Sequence, residues 1–433
     1  MNKENKLHND IFILGLALFS MFFGAGSIIF PPYLGMISSS SWLSSFGAYF
    51  VADFGFAVLA LFAMLKAGGD VDAITGKMGK IPGTLLTSTI ILCIGPMLAI
   101  PRTGATTYEM SVKVIFGDSS ILLIITSIVF FGLILLMTLR ESAVVDIIGK
   151  YLTPILFVGL MAVIIKGIIT PIAPIAQEPL VNDVIKEGII AGYQTMDVLG
   201  ALAFGIIIVK TVAQKGYHKE SDKQKIVATA SLVAAAGMFL IFCGLAYLGA
   251  TTSTLYGVEV GRAELLTNII QHLMGNGGNI LLGIVVFLAC LTTGAALTST
   301  TAEYFSNLSK GKIGYKTLII IICIFSAVIT NSGLDFIISF AAPILNIVYP
   351  AAIVLIVLTF FQNYIRNVYV YRFAVLAAMI VNILEILEGA GKITFSITSL
   401  PFSQYNFAWV VPAIVCGILG AFIPGGKIDN YIK

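Results

Sequence analysis

Twelve apolar runs, most of them about 20 residues long or longer, constrain the fold of this chain more than any other feature. A helix needs roughly 20 apolar residues to cross the hydrocarbon core of a bilayer, which is about 30 Å thick. The runs cover residues 11–35, 43–65, 82–115, 120–139, 147–169, 188–210, 226–250, 279–307, 316–331, 335–361, 372–388 and 407–425. They predict an all-α polytopic membrane protein with about 12 transmembrane helices.

The composition agrees with a surface covered by lipid. Hydrophobic residues make up 58% of the chain and charged residues only 11%, whereas a soluble globular protein has about 25% charged residues. No polar stretch is long enough to fold separately, so we expect a single membrane domain over residues 1–433. The net charge is only +3 and the basic residues are scattered, which argues against a nucleic-acid partner. We infer no obligatory protein partner.

The basic residues indicate an orientation. When the loops are assigned alternately to the two sides, 19 of the 25 Lys and Arg fall on the side of the N-terminus. Cytoplasmic loops carry such an excess of positive charge. We therefore expect a multi-pass protein of the cell membrane with both termini in the cytoplasm.

The first span contains a glycine cluster, FGAGS at 23–27. A helix broken at this point would present N–H groups and the positive end of a helix dipole, which suit a carboxylate. Irregular backbone is tolerated in a membrane only where it lines a cavity or is buried in protein. The alternative is close packing of an unbroken helix through its small residues.

The sixth span contains the polar stretch GYQTMDVLG at 192–200, which places Asp197 between glycines. Interruptions in the first and sixth spans have the spacing expected of two inverted repeats of five helices with discontinuous first helices. The positions of these two interruptions, and not any residue identity between the two halves, predict repeats at 11–170 and 188–361. Two additional helices follow at 372–425.

The eighth span carries adjacent hydroxyls at Thr292 and Thr293. Threonine hydroxyls in a helix usually bond to the backbone of the preceding turn. Neutral oxygens of this kind can instead bind a hard cation.

Several charged residues fall within the apolar runs, where a charge at mid-bilayer costs at least about 2.5–3.5 kcal/mol. We interpret four of them as members of gating or structural ion pairs, namely Asp53, Arg102, Glu109 and Glu303. We expect Arg102 and Glu109 to find their partners on other helices. Asp197 is expected either near a substrate ammonium or as support for the break in the sixth span.

Eight short motifs, spread in order along nearly the whole chain, resemble those of the bacterial branched-chain amino acid carriers, the leucine–isoleucine–valine:cation symporter family. They are FGAGSIIFPP (23–32), PRT (101–103), TYE (107–109), GYQTMD (192–197), LTT (291–293), AEYF (302–305), PILN (343–346) and YP (349–350). The resemblance implies membership of the amino acid–polyamine–organocation superfamily, with its five-plus-five, leucine-transporter-like fold.

The resemblance also implies roles for particular residues. Backbone N–H groups at the first break would bind the substrate carboxylate, and groups at the sixth-span break would meet its ammonium and line the pocket. The substrate-binding residues so implied are Gly24, Ala25, Gly26, Ser27, Tyr193, Gln194, Thr195, Met196 and Asp197. A sodium site would use backbone carbonyls and two threonine hydroxyls, from Ser20, Phe23, Ala289, Thr292 and Thr293.

The expected activity is import of leucine, isoleucine or valine by symport with one Na⁺, through alternating access. Proton coupling, for the same or other small neutral amino acids, stays open as an alternative. In some superfamily members a lysine ammonium replaces the sodium ion. Lys150 and Lys166 fit that role poorly, because they flank the fifth span and do not occupy its middle. A channel or a membrane nutrient receptor is the alternative from another class. We do not expect an enzyme, because the three histidines lie in loops or near a span end and no His, Cys and carboxylate group converges.

Overall fold

A computed structural model describes residues 3–69, 71–139, 144–217, 219–392 and 397–424 of the chain. Their α-helices are α1 Lys3–Phe22, α2 Ala25–Ser38, α3 Trp42–Phe50, α4 Phe56–Lys66, α5 Val71–Thr75, α6 Lys80–Leu92, α7 Ala99–Thr107, α8 Lys113–Phe116, α9 Ser120–Leu139, α10 Val144–Ile169, α11 Val184–Thr195, α12 Asp197–Gln214, α13 Glu220–Ala250, α14 Arg262–Leu308, α15 Tyr315–Thr330, α16 Leu334–Phe360, α17 Val368–Gly389 and α18 Val410–Ala421. Short 3₁₀ turns lie at Ser39–Ser41, Gly76–Met78, Ile397–Ser399 and Ser403–Tyr405, and π-helical segments at Val51–Gly55, Cys93–Met97 and Tyr108–Val112.

Each of the twelve apolar runs contains at least one helix. Within the described ranges, 7 helical stretches are long and apolar enough to cross a membrane, and four apolar helices are shorter. The helix α9 exposes Ile121, Ile124 and Ile128, as a lipid-facing helix would. The number of spans stays a prediction. Gly425, the last residue of the predicted twelfth span, lies outside the described residues, as do the orienting residues Arg140, Lys427 and Lys433.

Three helical stretches are interrupted where the sequence supplies glycine or a polar residue. The first span is divided into α1 and α2, and the sixth into α11 and α12, which confirms both predicted discontinuities. Gly275 has φ 67° and ψ −166° within α14, a conformation that essentially only glycine adopts. The chain therefore forms a separate helix before Gly275, which contains Arg262.

Two π-helical segments carry acidic residues from the middle of the sequence's apolar runs. Val51–Gly55 joins α3 to α4 and contains the buried Asp53. Tyr108–Val112 follows α7 and contains Glu109. A π-helical turn inserts one extra residue into a helix and frequently marks a functional site, because it turns a side chain out of the regular helical register.

The chain forms two compact units. The first comprises residues 1–48, 92–191 and 230–341, and the second comprises residues 49–91, 192–229 and 342–433. In the first unit, α2 packs against α14 and α7, and in the second unit α12 packs along α4 and α17 against α18.

Glycines bring α2 and α13 into backbone contact within the first unit. A Cβ at Gly35 would overlap the carbonyl oxygen of Ala246, and a Cβ at Gly249 would overlap that of Pro32. Small residues permit this approach of two helices in a membrane. The contact holds α2 in place beyond the point at which α1 ends.

Two lysines of the second unit meet the C-terminal end of α16. Lys77, in the connection between α4 and α6, donates hydrogen bonds to Gln362 Oε1 at 2.6 Å and Thr359 Oγ1 at 3.2 Å. Lys66 Nζ donates to the carbonyl oxygen of Phe360 at 2.6 Å. Positive charges are favourable at a helix C-terminus. Burial of the Lys77 ammonium, together with the nearby charge of Lys66, nevertheless lowers the pKa of Lys77 from 10.5 to about 8.

This pKa predicts a stability that rises with pH. Above about pH 8 the folded protein loses the Lys77 proton while the unfolded chain keeps it, so the free energy of unfolding rises until about pH 10.5, by at most about 1.4 kcal/mol per pH unit. Lys77→Met lacks this contribution. We expect the wild type to gain stability relative to Lys77→Met as the pH is raised from 7 to 10, measured by the unfolding midpoint in detergent.

The control is Lys80→Met, because Lys80 is an exposed lysine three residues further along the chain. If the difference in unfolding midpoint between the wild type and Lys77→Met stays constant from pH 7 to 10, the prediction is contradicted.

Candidate functional site

The first helix break lies in the first unit at Phe23 and Gly24. The N–H of Gly24 donates to the carbonyl oxygen of Phe22 at 3.0 Å, and Gly24 is extended, with φ −106° and ψ −178°. No side chain caps α2 at Gly24. The N–H groups of the first turn of a helix have no partner within that helix. The N–H groups of Ala25, Gly26 and Ser27 occupy this first turn, where the sequence predicts carboxylate binding.

Ser27 closes the break from the other side. Its buried hydroxyl donates to the carbonyl oxygen of Phe22 at 3.0 Å. That carbonyl belongs to the last residue of α1 and would otherwise lack a helical partner. The Ser27 side chain therefore stabilises the break itself.

Phe23 anchors the break in an aromatic row. Its ring stacks on Phe19 with a centroid distance of 5.2 Å and on Phe242 of α13 at 5.9 Å. Such contacts stabilise by roughly 0.5–1.5 kcal/mol beyond the area that they bury. The side chain thus fixes the end of α1, while the backbone carbonyl of Phe23 is the group predicted to bind a cation.

Arg102 of α7 lies against this break and is only 5% exposed. A Cβ on Gly26 would lie 2.7 Å from Cζ of Arg102 and would overlap Nη2, so the guanidinium occupies the space that any larger residue would need. The sequence interpretation of Arg102 as part of an ion pair does not anticipate this contact with the start of α2.

The predicted cation ligands also belong to the first unit. A Cβ on Gly24 would lie 3.9 Å from Cγ2 of Thr293, so Thr293 stands beside the break. The hydroxyl of Thr292 donates to the carbonyl oxygen of Ala289 at 2.9 Å. Both oxygens keep lone pairs after this bond, and neutral oxygens suit a hard cation. Ser20 lies in the last turn of α1.

The second break lies in the second unit, between α11 and α12. Met196 separates the two helices with φ 69° and ψ 15°, a left-handed conformation that is uncommon for a residue other than glycine. Asp197 begins α12 and is 9% exposed, and Met196 is 3% exposed. The break is thus buried in protein, as a break within a membrane must be.

Asp53 holds this second break through Thr195. The hydroxyl of Thr195 lies 2.8 Å from Asp53 Oδ1 and 2.6 Å from the carbonyl oxygen of Gly192. Gly192 packs on the π-helical segment, since a Cβ there would lie 3.0 Å from the backbone nitrogen of Asp53. Asp197 adjoins the same hydroxyl, since its backbone N–H donates to Thr195 Oγ1 at 3.4 Å. The expected role of the Asp197 side chain, in supporting this loop or meeting an ammonium, stays a prediction.

Tyr193 and Gln194 are both buried, with 0% and 7% of their surfaces exposed. The Tyr193 ring stacks on Tyr349 of α16 with a centroid distance of 4.7 Å. The side chain of Tyr193 is therefore held in a packed aromatic pair, and its backbone carbonyl is the group at the end of α11. Tyr349 is a neighbour of the site that sequence analysis missed. The sequence feature that points to Tyr349 is the motif YP at 349–350, which lies inside an apolar span.

Glu109 and Glu303 do not join either break. Glu109 Oε2 lies 2.9 Å from Nζ of Lys113, so its partner is on the next turn of the same stretch and the expected partner on another helix is wrong. The spacing of four residues explains the pair, since such residues are neighbours on a helical face. The side chain of Glu303 is exposed, near the end of α14.

The fold is similar to that of two solved transporters. The inward-facing conformation of Mhp1 has a TM-score of 0.64 and 15% identity, with 98% of this chain and 94% of that chain covered. MhsT in complex with L-phenylalanine has a TM-score of 0.55 and 15% identity, with 94% and 98% covered. These likenesses confirm the all-α, leucine-transporter-like fold. The repeat pattern stays a prediction.

Close relatives in sequence identify the family. The chain is 35% identical to the branched-chain amino acid permease BraB of Bacillus subtilis, over 98% of each chain. It is 33% identical to the permease BrnQ of Escherichia coli, over 95% of this chain and 94% of that one. These relatives are permeases and not enzymes, in agreement with the sequence analysis. The family of branched-chain amino acid transport proteins matches residues 7–426, and the chain belongs to that family.

Proposed function

We propose that this protein imports leucine, isoleucine and valine together with Na⁺ across the cell membrane, with both termini in the cytoplasm. The observation that carries the proposal is the break between α1 and α2, which presents uncapped N–H groups in a chain of this family. An amino acid is a zwitterion with an apolar side chain, so its site must supply N–H donors, acceptors and an apolar pocket.

The two breaks supply opposite polar groups. The N–H groups of Ala25, Gly26 and Ser27 at the start of α2 would bind the carboxylate. The carbonyl oxygens at the end of α11 would accept hydrogen bonds from the ammonium, since a carbonyl oxygen has two lone pairs and those of Gly192 and Tyr193 each accept one bond within the protein, from the Thr195 hydroxyl and the Met196 N–H. Asp197, at the start of α12, adds a negative charge at the second break.

Selectivity among the three substrates should be slight. An apolar pocket discriminates one methylene by only about 1–3 kcal/mol. Met196 is an adaptable side chain buried at the second break, and methionine fits apolar groups of different shapes. A pocket of this kind selects a branched apolar side chain as a class.

The coupling ion in this proposal is a single Na⁺. Its ligands would be the carbonyl oxygens of Ser20, Phe23 and Ala289 and the hydroxyls of Thr292 and Thr293. All five are neutral oxygens, the type that a hard cation prefers. The position of Thr293 beside Gly24 supports this assignment, because the eighth span lies next to the break there.

Transport would proceed by alternating access. Substrate and cation bind from outside at the breaks, and the first, second, sixth and seventh predicted spans then rock against the third, fourth, eighth and ninth. Broken helices suit this motion, because backbone groups at a break can bind a ligand in one state and release it in the other.

Uptake into proteoliposomes tests the proposal. We expect an inward sodium gradient to drive accumulation of radiolabelled leucine, and we expect excess isoleucine or valine to suppress it. Saturable uptake with a fixed number of sodium ions per leucine distinguishes a symporter from a channel or a receptor. Folded protein that accumulates no leucine under a sodium or a proton gradient would refute the substrate class.

The variant Thr293→Ala tests the cation site. Loss of one hydroxyl ligand should abolish sodium stimulation of leucine uptake while the protein stays folded. The matched control is Thr300→Ala on the same helix, whose hydroxyl donates to the carbonyl oxygen of Ala296 in the preceding turn at 3.0 Å. Full sodium stimulation in Thr293→Ala would exclude Thr293 as a ligand.

Proton coupling is the second candidate, and the fully buried Asp53 favours it. A carboxylate bonded to Thr195 at the second break could take up a proton and change how that break is held. Asp53→Asn keeps an oxygen acceptor for Thr195 but cannot titrate. With sodium coupling, we expect this variant to retain sodium-driven uptake.

Uptake driven by a proton gradient in the wild type, and lost in Asp53→Asn, would replace sodium by the proton. Asp222→Asn, which alters an exposed carboxylate of α13, is the control for loss of a negative charge.

A further inference from the structure

Lys66 and Lys77 bring two positive charges to the C-terminal end of α16. The Lys66 ammonium donates to the carbonyl oxygen of Phe360, and the Lys77 ammonium donates to Thr359 and Gln362. All five residues belong to the second unit. Burial lowers the pKa of Lys77, and the nearby charge of Lys66 lowers it further. The two ammonium groups therefore lie close enough to repel each other.

The partners of these two ammonium groups are neutral. They are a backbone carbonyl, a hydroxyl and a side-chain amide, and neither lysine forms a salt bridge with a carboxylate in the part of the chain that the structure describes. The C-terminus of α16 supplies only about half a negative charge. A charge removed from water is normally paired, and Lys77 is only 8% exposed. An anion that binds both lysines would balance the excess of positive charge.

Both ammonium groups keep N–H donors for such an anion. A lysine ammonium has three donors; Lys77 uses two of them in the structure and Lys66 uses one. The neighbouring side chains hold the pair in place. The Thr359 hydroxyl donates to the carbonyl oxygen of Leu355 at 2.7 Å, so that its lone pairs serve Lys77, and Gln362 Nε2 donates to the carbonyl oxygen of Lys66 at 3.2 Å.

The surroundings of the lysines favour an anion that belongs to a lipid. Ile81 and Leu85, on the helix that follows Lys77, expose large apolar side chains, and so does Tyr364 just beyond α16. Exposed apolar side chains of a membrane protein face lipid, and tyrosine is frequent at the level of the lipid headgroups. The lysines therefore lie beside an apolar surface that acyl chains can cover.

The contact between Lys77 and Gln362 also agrees with the proposed orientation. Lys77 lies in the connection after the second predicted span, and Gln362 lies just after the tenth. Their hydrogen bond requires both connections to be on one side of the membrane, which the proposed orientation makes the cytoplasmic side. Anionic lipids give the cytoplasmic leaflet a negative surface that attracts lysines.

We propose that Lys66 and Lys77 form a binding site for the phosphate group of an anionic phospholipid at the cytoplasmic end of the second unit. Phosphate oxygens accept hydrogen bonds from the remaining N–H groups, and lysine suits this ligand as a compact charge. The site uses none of the residues assigned to the two helix breaks. A lipid bound there would join the connection after α4 to the end of α16 and stabilise the folded protein.

The test follows the unfolding midpoint of the purified full-length protein in a neutral detergent at pH 7, below the Lys77 pKa of about 8. Dioctanoylphosphatidylglycerol is added over a concentration series, because a ligand that binds the folded state raises the midpoint. Dioctanoylphosphatidylcholine offers the same phosphate with a compensating positive charge, and inorganic phosphate offers it without acyl chains. The variants are Lys66→Met and Lys77→Met. Lys80→Met is the matched control, since Lys80 is an exposed lysine of the same connection.

We expect phosphatidylglycerol to raise the wild-type midpoint saturably, and more than phosphatidylcholine or inorganic phosphate at equal concentration. Lys66→Met and Lys77→Met should each weaken the apparent affinity for phosphatidylglycerol about 10-fold, as expected for loss of a hydrogen bond to a charged group. Lys80→Met should change that affinity by about twofold at most.

Unchanged affinity for phosphatidylglycerol in Lys66→Met and Lys77→Met would overturn the proposal. An equal loss in Lys80→Met would overturn it as well, because it would indicate a general attraction of the basic surface to anionic micelles. Inorganic phosphate that stabilises the wild type as strongly as phosphatidylglycerol would overturn the assignment to a lipid and leave a site for free phosphate. If Lys77→Met does not fold, Lys66→Met decides the outcome alone, since Lys66 is less buried.

Discussion

Backbone groups at a helix break have no water to bond with inside a membrane, and each unsatisfied N–H or C=O group costs several kcal/mol there. The structure depends on how it satisfies these groups at two places. At Phe23–Gly24 the carbonyl oxygen of Phe22 accepts from the Gly24 N–H and from the Ser27 hydroxyl, which lies beyond the break. At Met196 the hydroxyl of Thr195, the last residue of α11, lies within hydrogen-bond distance of the Gly192 carbonyl oxygen and of Asp53 Oδ1. A side-chain hydroxyl thus stabilises the end of the preceding helix at each break.

The remaining groups differ between the breaks, and this difference gives each a distinct chemistry. The first break combines the start of α2 with the nearby guanidinium of Arg102. The second contains Asp197 and, behind Thr195, the buried carboxylate of Asp53.

Much of the fold follows from the sequence because its physical causes are local. Apolar runs of about 20 residues predict helices wherever the chain is embedded in lipid, and glycine or polar residues within a run predicted both breaks. The partners of those breaks are not local. Asp53 reaches Thr195 across 142 residues of sequence, and its position depends on a π-helical turn that has no clear sequence signal. The contact of Arg102 with Gly26 likewise depends on packing between α7 and α2. Glu109 is different, because Lys113 four residues later was a visible partner within the sequence.

The geometry of the first break offers a physical reason for coupling between substrate and cation. Thr293 stands beside Gly24, since a Cβ there would lie 3.9 Å from Cγ2 of Thr293, and the first-turn N–H groups of α2 begin at the next residue. A cation held by neutral oxygens at Thr293 would keep its full charge, since none of those ligands neutralises it. A carboxylate at the start of α2 would supply the opposite charge a few ångströms away, where the low dielectric constant makes the attraction strong. Each ligand would then raise the affinity for the other by the same factor. Neutral cation ligands thereby favour coupling, because an acidic ligand would neutralise the cation and weaken its attraction for the carboxylate.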